Sequence, residues 1–345
     1  MKKIDSLAVT GALLAAFFFG ISTPLSKVLI SDLNPFLLAG LLYLGAGIGL
    51  SAYTLAGQGK LLPRGKKLKY KYIVGMVVFG GLLGPVLLMA AVKIAPAASV
   101  SIWLNMELVA TAFLGHFIFK DHLDKRGWLS VALSLAAGAL LSYSGGIAGF
   151  TAGLLVALAC FCWGFDNHFT ALIDDLSPVQ STVIKGLAAG TTNLLIGLAL
   201  AGGAPALAAA AKALLVGFLC YGLSITLYIS AAQKLGAVRS QLIFSVAPLF
   251  GVILAVLALG ESLSAIQFFS GVLLFISVWL MLAEKHGHPH EHSETEHTHQ
   301  HGHGDLHHDH HDSEAQEKAH VHFHKHSESA HEHPHWPDLH HRHTH

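Results

Sequence analysis

Three ionisable side chains lie in stretches where charge is expensive. Glu107 sits within the apolar run Ser101–Thr111, Asp166 within Cys160-Phe161-Cys162-Trp163-Gly164-Phe165-Asp166-Asn167-His168, and Lys185 within the run that follows Pro178. A charged group inside such a run is by default a functional one, on an ion or solute path. Trp103, Glu107 and Thr111 fall on one helix face at four-residue spacing, and Asn105 points to nearly the opposite side. Glu107 is therefore the first candidate for a carboxylate that takes up a proton or cation; the plainer alternative is a carboxylate satisfied by a neighbouring helix. Cys162 and Asp166 share a face. His168 lies roughly 200° around the helix from Asp166, so the two cannot grip one ion from a regular helix, and the spacing is not that of a zinc finger. The expectation is that Asp166 faces a pathway with Cys162 beside it, while Asn167 or His168 bonds a neighbouring helix. Counted from the turn between them, Asp166 and Lys185 both lie roughly 10–12 Å deep at ~1.5 Å per residue. An Asp166–Lys185 ion pair is predicted, serving either as a switch or as a static brace.

A second set of chemically capable residues is concentrated beyond residue 283, where 23 of the 26 histidines occur. They recur at alternate positions: His286, His288, His290 and His292, then His297, His299, His301 and His303. His307, His308, His310 and His311 flank Asp309, and alternation returns at 320–326, 331–335 and 341–345. An extended chain places alternate residues on one side, and neutral imidazole suits Ni²⁺, Co²⁺, Zn²⁺ and Cu²⁺. The tail has no Cys or Met, which argues against Cu(I). No run exceeds two histidines and acidic residues are interleaved throughout, unlike an affinity tag. Its scatter of apolar residues, Val321, Phe323, Trp336 and Leu339, cannot build a core, so the tail is expected to be disordered.

The elements that must position these groups are apolar helices. The chain is 53% hydrophobic and 12% charged, and runs of about 20 apolar residues read as membrane spans. Ten are placed, at 7–30, 35–56, 70–92, 97–118, 127–143, 150–173, 178–201, 212–232, 239–259 and 265–283. Residues up to 283 carry 17 Lys/Arg against 9 Asp/Glu, and the tail 4 against 12. Lys60 to Lys71, Lys120, Lys125, Arg126, Lys234 and Arg239 fall on even-numbered connections, which puts both termini in the cytoplasm. Gly80 with Gly84 and Gly186 with Gly190 have close-packing spacing. Pro24, Pro85 and Pro248 should kink or open their spans. Cys160, Cys162 and Cys220 make no disulfide framework.

The chain also repeats itself. Ala91–Ser99 aligns with Ala232–Ser240, Phe119–Leu123 with Leu259–Leu263, and Phe19-Gly20 through Asn34-Pro35 with Trp163-Gly164 through Ser177-Pro178. Each half has five spans, an odd number, so the second is inverted relative to the first, a recurring design of secondary transporters. On the Phe19-Gly20 and Trp163-Gly164 openings and the Leu259-Gly260-Glu261 segment, the sequence resembles the EamA-type members of the drug/metabolite transporter superfamily over about residues 7–283. Lys120-Asp121 departs from the Gly-Glu pattern. The resemblance implies movement of small solutes by alternating access without ATP.

The expected molecule is an all-α integral membrane protein of two inverted five-helix repeats, 1–145 and 146–283, with a histidine-rich tail at 284–345. It is expected to be a bacterial inner-membrane carrier and not an enzyme. The leading expectation is proton-coupled efflux of a divalent transition metal, Ni²⁺ or Co²⁺ first and then Zn²⁺. The alternative is export of an amino acid or other metabolite, with the tail regulatory; a tethered metal store or sensor is a third. No cofactor is required, no nucleic acid is implied, the partners are lipid, solute or metal ion and protons, and a homodimer stays open.

Overall fold

In the computed structural model, the described residues are 6–57, 61, 68–119, 125–144, 146–173, 176–235, 243–282, 287–292, 295–301, 320–326 and 329–334. The helical body and the tail form two units.

Ten helical segments follow one another among the described residues of the body. The unbroken ones are Ser6–Leu29, Pro35–Ala56, Lys125–Ser144, Gly146–Ala171, Pro178–Ala201 and Ala265–Leu282. The third runs from Tyr70 to Ile94, the fourth from Ala97 to Phe119 and the eighth from Leu207 to Leu235, each in pieces. The ninth includes Ala247–Leu259. Seven of the described helices are long and apolar enough to cross a membrane, and Ala247–Leu259 and Ala265–Leu280 are shorter apolar ones. Large apolar side chains such as Leu257, Phe268, Phe269 and Trp279 face outward, as lipid requires of a helical bundle. Where the ends are described, boundaries expected from hydropathy agree within a few residues, the eighth segment beginning earlier, at Leu207; the expected start of the ninth at 239 and end of the tenth at 283 lie outside the described residues.

Local chemistry sets the ends. Asn34 caps the second span by accepting from the Leu37 amide (2.8 Å) and donating to the Gly197 carbonyl (2.9 Å), with Pro35 in the first turn. Ser177 and Gln180 form a reciprocal capping box ahead of Pro178. The second and seventh spans lie backbone against backbone: a methyl group on Gly186, Gly190 or Gly197 would run into main-chain atoms at Gly47, Leu44 and Leu37. Small residues are what permit such an approach in lipid. The fifth and tenth spans are joined by Ser130, Ser134 and Ser277, whose hydroxyls contact one another at 2.8–2.9 Å.

The irregularities are paired between the halves. The third span is π-helical over Met76–Leu83 and the eighth over Phe218–Leu223, equivalent places when Ala91 is aligned with Ala232. The fourth span was expected to be continuous but turns at Leu104-Asn105, and the ninth turns at Ser245-Val246, again equivalent. Pro248 has no amide hydrogen to close the ladder across the second turn. At the first, the Asn105 side chain donates to the Ile102 carbonyl (3.2 Å), competing with the helix for an acceptor. A further π segment spans Gly115–Phe119.

One cap joins the halves at the end of the bundle. Glu261, which follows Gly260 in the left-handed conformation (φ 68°), accepts from the amides of Ala97 (2.7 Å) and Ala98 (2.8 Å) at the start of the fourth span. Lys27 donates to the carbonyls of Val92 and Ala95 (both 2.7 Å) at the end of the third. A carboxylate at a helix start and an ammonium at a helix end are each favoured by the dipole. Glu261→Ala leaves two buried amides without an acceptor and should cost about 2–4 kcal/mol. Thermal unfolding in detergent measures it; Glu261→Gln, which keeps one acceptor oxygen, should recover part.

In the tail unit, β1 (Gly287–His292) pairs antiparallel with β4 (Ser329–Pro334), and β2 (Thr295–His301) with β3 (His320–His326). The tail was expected to be disordered; at these residues it is instead extended and paired, in step with the alternation of the sequence.

Candidate functional site

Pro85 starts the site. It lacks an amide hydrogen, so it cannot donate to the carbonyls four and five residues before it, those of Gly81 and Gly80. In the membrane such carbonyls need other donors, and neighbouring spans supply them. The Gly80 carbonyl accepts from Tyr43 Oη (2.6 Å) and Trp163 Nε1 (3.2 Å), and the Gly81 carbonyl from Asn193 Nδ2 (3.2 Å). The second, sixth and seventh spans thus converge on the π segment of the third. Gly80 and Gly81 have no side chain to keep them off: a Cβ on Gly80 would occupy the place of the Asp166 carboxyl, and one on Gly81 would press on Ala189 and Lys185.

Asp166 and Lys185 meet in the space this leaves. Lys185 Nζ lies 2.7 Å from Oδ1 and 2.5 Å from Oδ2 of Asp166, and both residues are buried. Thr170 Oγ1, one turn along, donates to Asp166 Oδ1 (3.2 Å). The contact expected from equal depth in adjacent antiparallel helices is present. An ion pair taken out of water needs good geometry and further hydrogen bonds to offset desolvation; the two short contacts and the threonine provide both.

Glu107 borders this pair. Asn167 Nδ2 donates to Glu107 Oε1 (3.3 Å) and to Thr111 Oγ1 (3.2 Å), so the face shared by Glu107 and Thr111 meets the sixth span through one amide. Glu107 is half-buried and Asn167 exposed. Asn167 directly follows Asp166, so this amide ties Glu107 to the stretch of the sixth span that carries the ion pair, and the three form one charge cluster. Glu107 lies in the first turn of Met106–Leu114, just past the turn at Leu104-Asn105, where a helix start favours negative charge.

The other sequence candidates are placed as follows. Asn105 serves the turn of its own helix. Cys162 is half-buried and His168 buried. The histidines of 286–311 lie in the tail; His286, His303, His307, His308, His310 and His311 fall outside the described residues. Among the side chains the structure describes, no three His, Cys, Asp or Glu residues converge as metal ligands. Tyr43, Asn193 and Thr170 were missed by sequence reasoning. The signal for the first two was Pro85, five and four residues after the Gly80-Gly81 pair: it announced freed carbonyls, though not their donors. Gly80 and Gly84 were expected at a helix contact, and both do pack, Gly80 on Asp166 and Gly84 on the Trp163 indole.

Aromatic rings of the first, second, eighth and ninth spans pack on one another. Tyr43 stands against Tyr221 (centroids 5.5 Å apart), Phe19 against Tyr221 and Phe244, and Tyr228 against Phe244 (4.7 Å).

The model of the EamA-like transporter family matches residues 6–143 and again 150–283. The chain belongs to the EamA-like transporter family. A transporter of Methanothermobacter thermautotrophicus, named only as uncharacterized, is 26% identical over 288 residues, covering 77% of this chain and 83% of its own. The inner membrane transporter YedA of Escherichia coli K12, also named as uncharacterized, is 24% identical over 290 residues, covering 82% of this chain and 94% of its own. A solved crystal structure shares the fold with a TM-score of 0.55 at 17% identity, over 80% of this chain and 95% of that one. The EamA-like chain is accordingly a multi-pass membrane transporter, and its charge cluster lies within the segments the family model covers.

Proposed function

We propose that this transporter moves a small polar organic solute, one bearing an amino and a carboxyl group, in exchange for protons, and that its histidine tail regulates the flux in response to metal. The observation that carries this reading is the buried Asp166–Lys185 pair with Glu107 linked to the same stretch of the sixth span through Asn167. A zwitterionic solute can exchange partners with such a pair: its ammonium replaces Lys185 at Asp166, and its carboxylate takes Lys185. Little net charge then has to cross the low-dielectric interior. Glu107, the third charge, is the proton carrier. Alternating access lets the site exchange protons for solute between two openings. The orientation read from positive charge puts the tail in the cytoplasm, where export begins.

A second reading, efflux of Ni²⁺, Co²⁺ or Zn²⁺, is favoured by the histidine tail. Proteoliposomes with an imposed pH gradient separate the two. Under the first reading, amino-acid-class solutes dissipate the gradient, and deleting residues 286–345 leaves that flux in place while removing its response to added metal. Gradient dissipation by Ni²⁺ or Co²⁺ instead, weakened by the same deletion and by Asp166→Asn, would overturn the first reading in favour of the second.

A further inference from the structure

We propose that divalent transition metals bridge the two arms of the tail, held by histidines at paired register positions of its ladders. This rests on the tail being the metal-responsive part of the transporter. The β2/β3 register pairs His297 with His324, His299 with His322 and His301 with His320. The β1/β4 register pairs His288 with His333 and His290 with His331. Successive residues of a strand alternate between faces. One face of the first ladder therefore carries seven histidines and Thr295, while Glu296 pairs with Lys325, Thr298 with Phe323 and Gln300 with Val321 on the other.

A single register runs through both ladders. From Gly287 to Thr295 the first arm advances eight residues; from Pro334 to His326 the second retreats by the same eight. The histidines change phase in step with it. They are even-numbered in β1 and odd-numbered in β2, odd-numbered in β4 and even-numbered in β3. Both arms shift phase at matched places, so histidine meets histidine in each ladder. A one-residue slip would set histidines opposite Glu, Lys or Phe instead.

This arrangement suits a shared ion. Residues directly opposite have Cβ atoms about 4.5–5.5 Å apart, and the next pair on the same face lies roughly 7 Å along. Two successive pairs, such as His297/His324 and His299/His322, can supply the four nitrogens a tetrahedral Zn²⁺ takes. A two-stranded ladder is marginal by itself in water, and metal binding can supply the free energy of ordering. Metal thereby ties together segments on either side of residues 302–319.

Equilibrium dialysis of Zn²⁺ against the full-length protein in detergent tests this. Three forms are compared with the parent: His297, His299 and His301→Asn; His320, His322 and His324→Asn; and all six changed. If ions are shared between arms, each three-residue variant loses the same bound Zn²⁺ and the six-residue variant loses no more. Losses that add would show each arm binding its own ions and would overturn the proposal, leaving the metal-responsive tail intact. Uptake no greater than that of a chain lacking residues 286–345 would overturn both. Changing the opposite face, Glu296→Gln with Lys325→Gln, should leave the bound Zn²⁺ unchanged; a matching loss there would overturn the assignment of the histidine face.

Discussion

Asp166→Asn should destabilise the helical body by about 3–5 kcal/mol, because it leaves the Lys185 ammonium buried without its counter-charge. Lys185→Met should do the same to Asp166. The pair is short and buried, with side chains 9% and 10% exposed, so solvent does little to screen the loss. The double variant Asp166→Leu with Lys185→Met removes both charges, and replacing a buried pair by apolar groups of similar volume is often neutral or stabilising. Unfolding midpoints in detergent should therefore fall for each single variant and return for the double one. Transport distinguishes brace from switch: if the pair exchanges partners with solute, the refolded double variant stays inactive. A double variant that is both stable and active would reduce the pair to a structural brace and sink its role in the proposed mechanism.

Glu107→Gln should abolish uphill accumulation driven by a pH gradient while leaving the fold intact. Glutamine keeps the shape and can still accept from Asn167 Nδ2, so only the ionisable proton is lost. Solute exchange across the membrane with no proton gradient should survive, because partner exchange at Asp166 and Lys185 needs no proton on residue 107. The measurement is solute-against-solute counterflow set beside proton-driven uptake in the same vesicles. Unchanged proton-driven uptake would remove Glu107 from the mechanism. Loss of both modes would instead place it among the groups that hold solute.

The two variants probe different sides of one cluster, and their effects should not add. Lys185 bonds Asp166, and the adjoining Asn167 bonds Glu107; residues in one network couple where distant ones are independent. Once Asp166 has been changed, a further change at Glu107 should cost little more flux.

Much of this was legible before any coordinates. Spans follow from the length of apolar runs, because only a helix of that length satisfies its backbone in lipid. The Asp166–Lys185 contact followed from counting: a tight turn between antiparallel helices makes equal depth mean adjacency. The alternation of tail histidines was visible for the same reason, since period and length are local properties of a chain.

What the sequence could not decide was who answers an open group across space. Pro85 showed that carbonyls would be left open, but not that Tyr43, Trp163 and Asn193 would fill them. Glu107 and Asn167 are 60 residues apart, and no periodicity joins them. The turns at Leu104-Asn105 and Ser245-Val246, at equivalent places of the two halves, emerged only in the folded chain. By itself, then, the sequence determined where the apolar helices run, that Asp166 and Lys185 stand level on adjacent helices, and which tail residues alternate. The tertiary structure alone decided which donors meet which acceptors, because hydrogen-bond partners in a helical bundle are chosen by neighbouring helices and not by neighbouring residues.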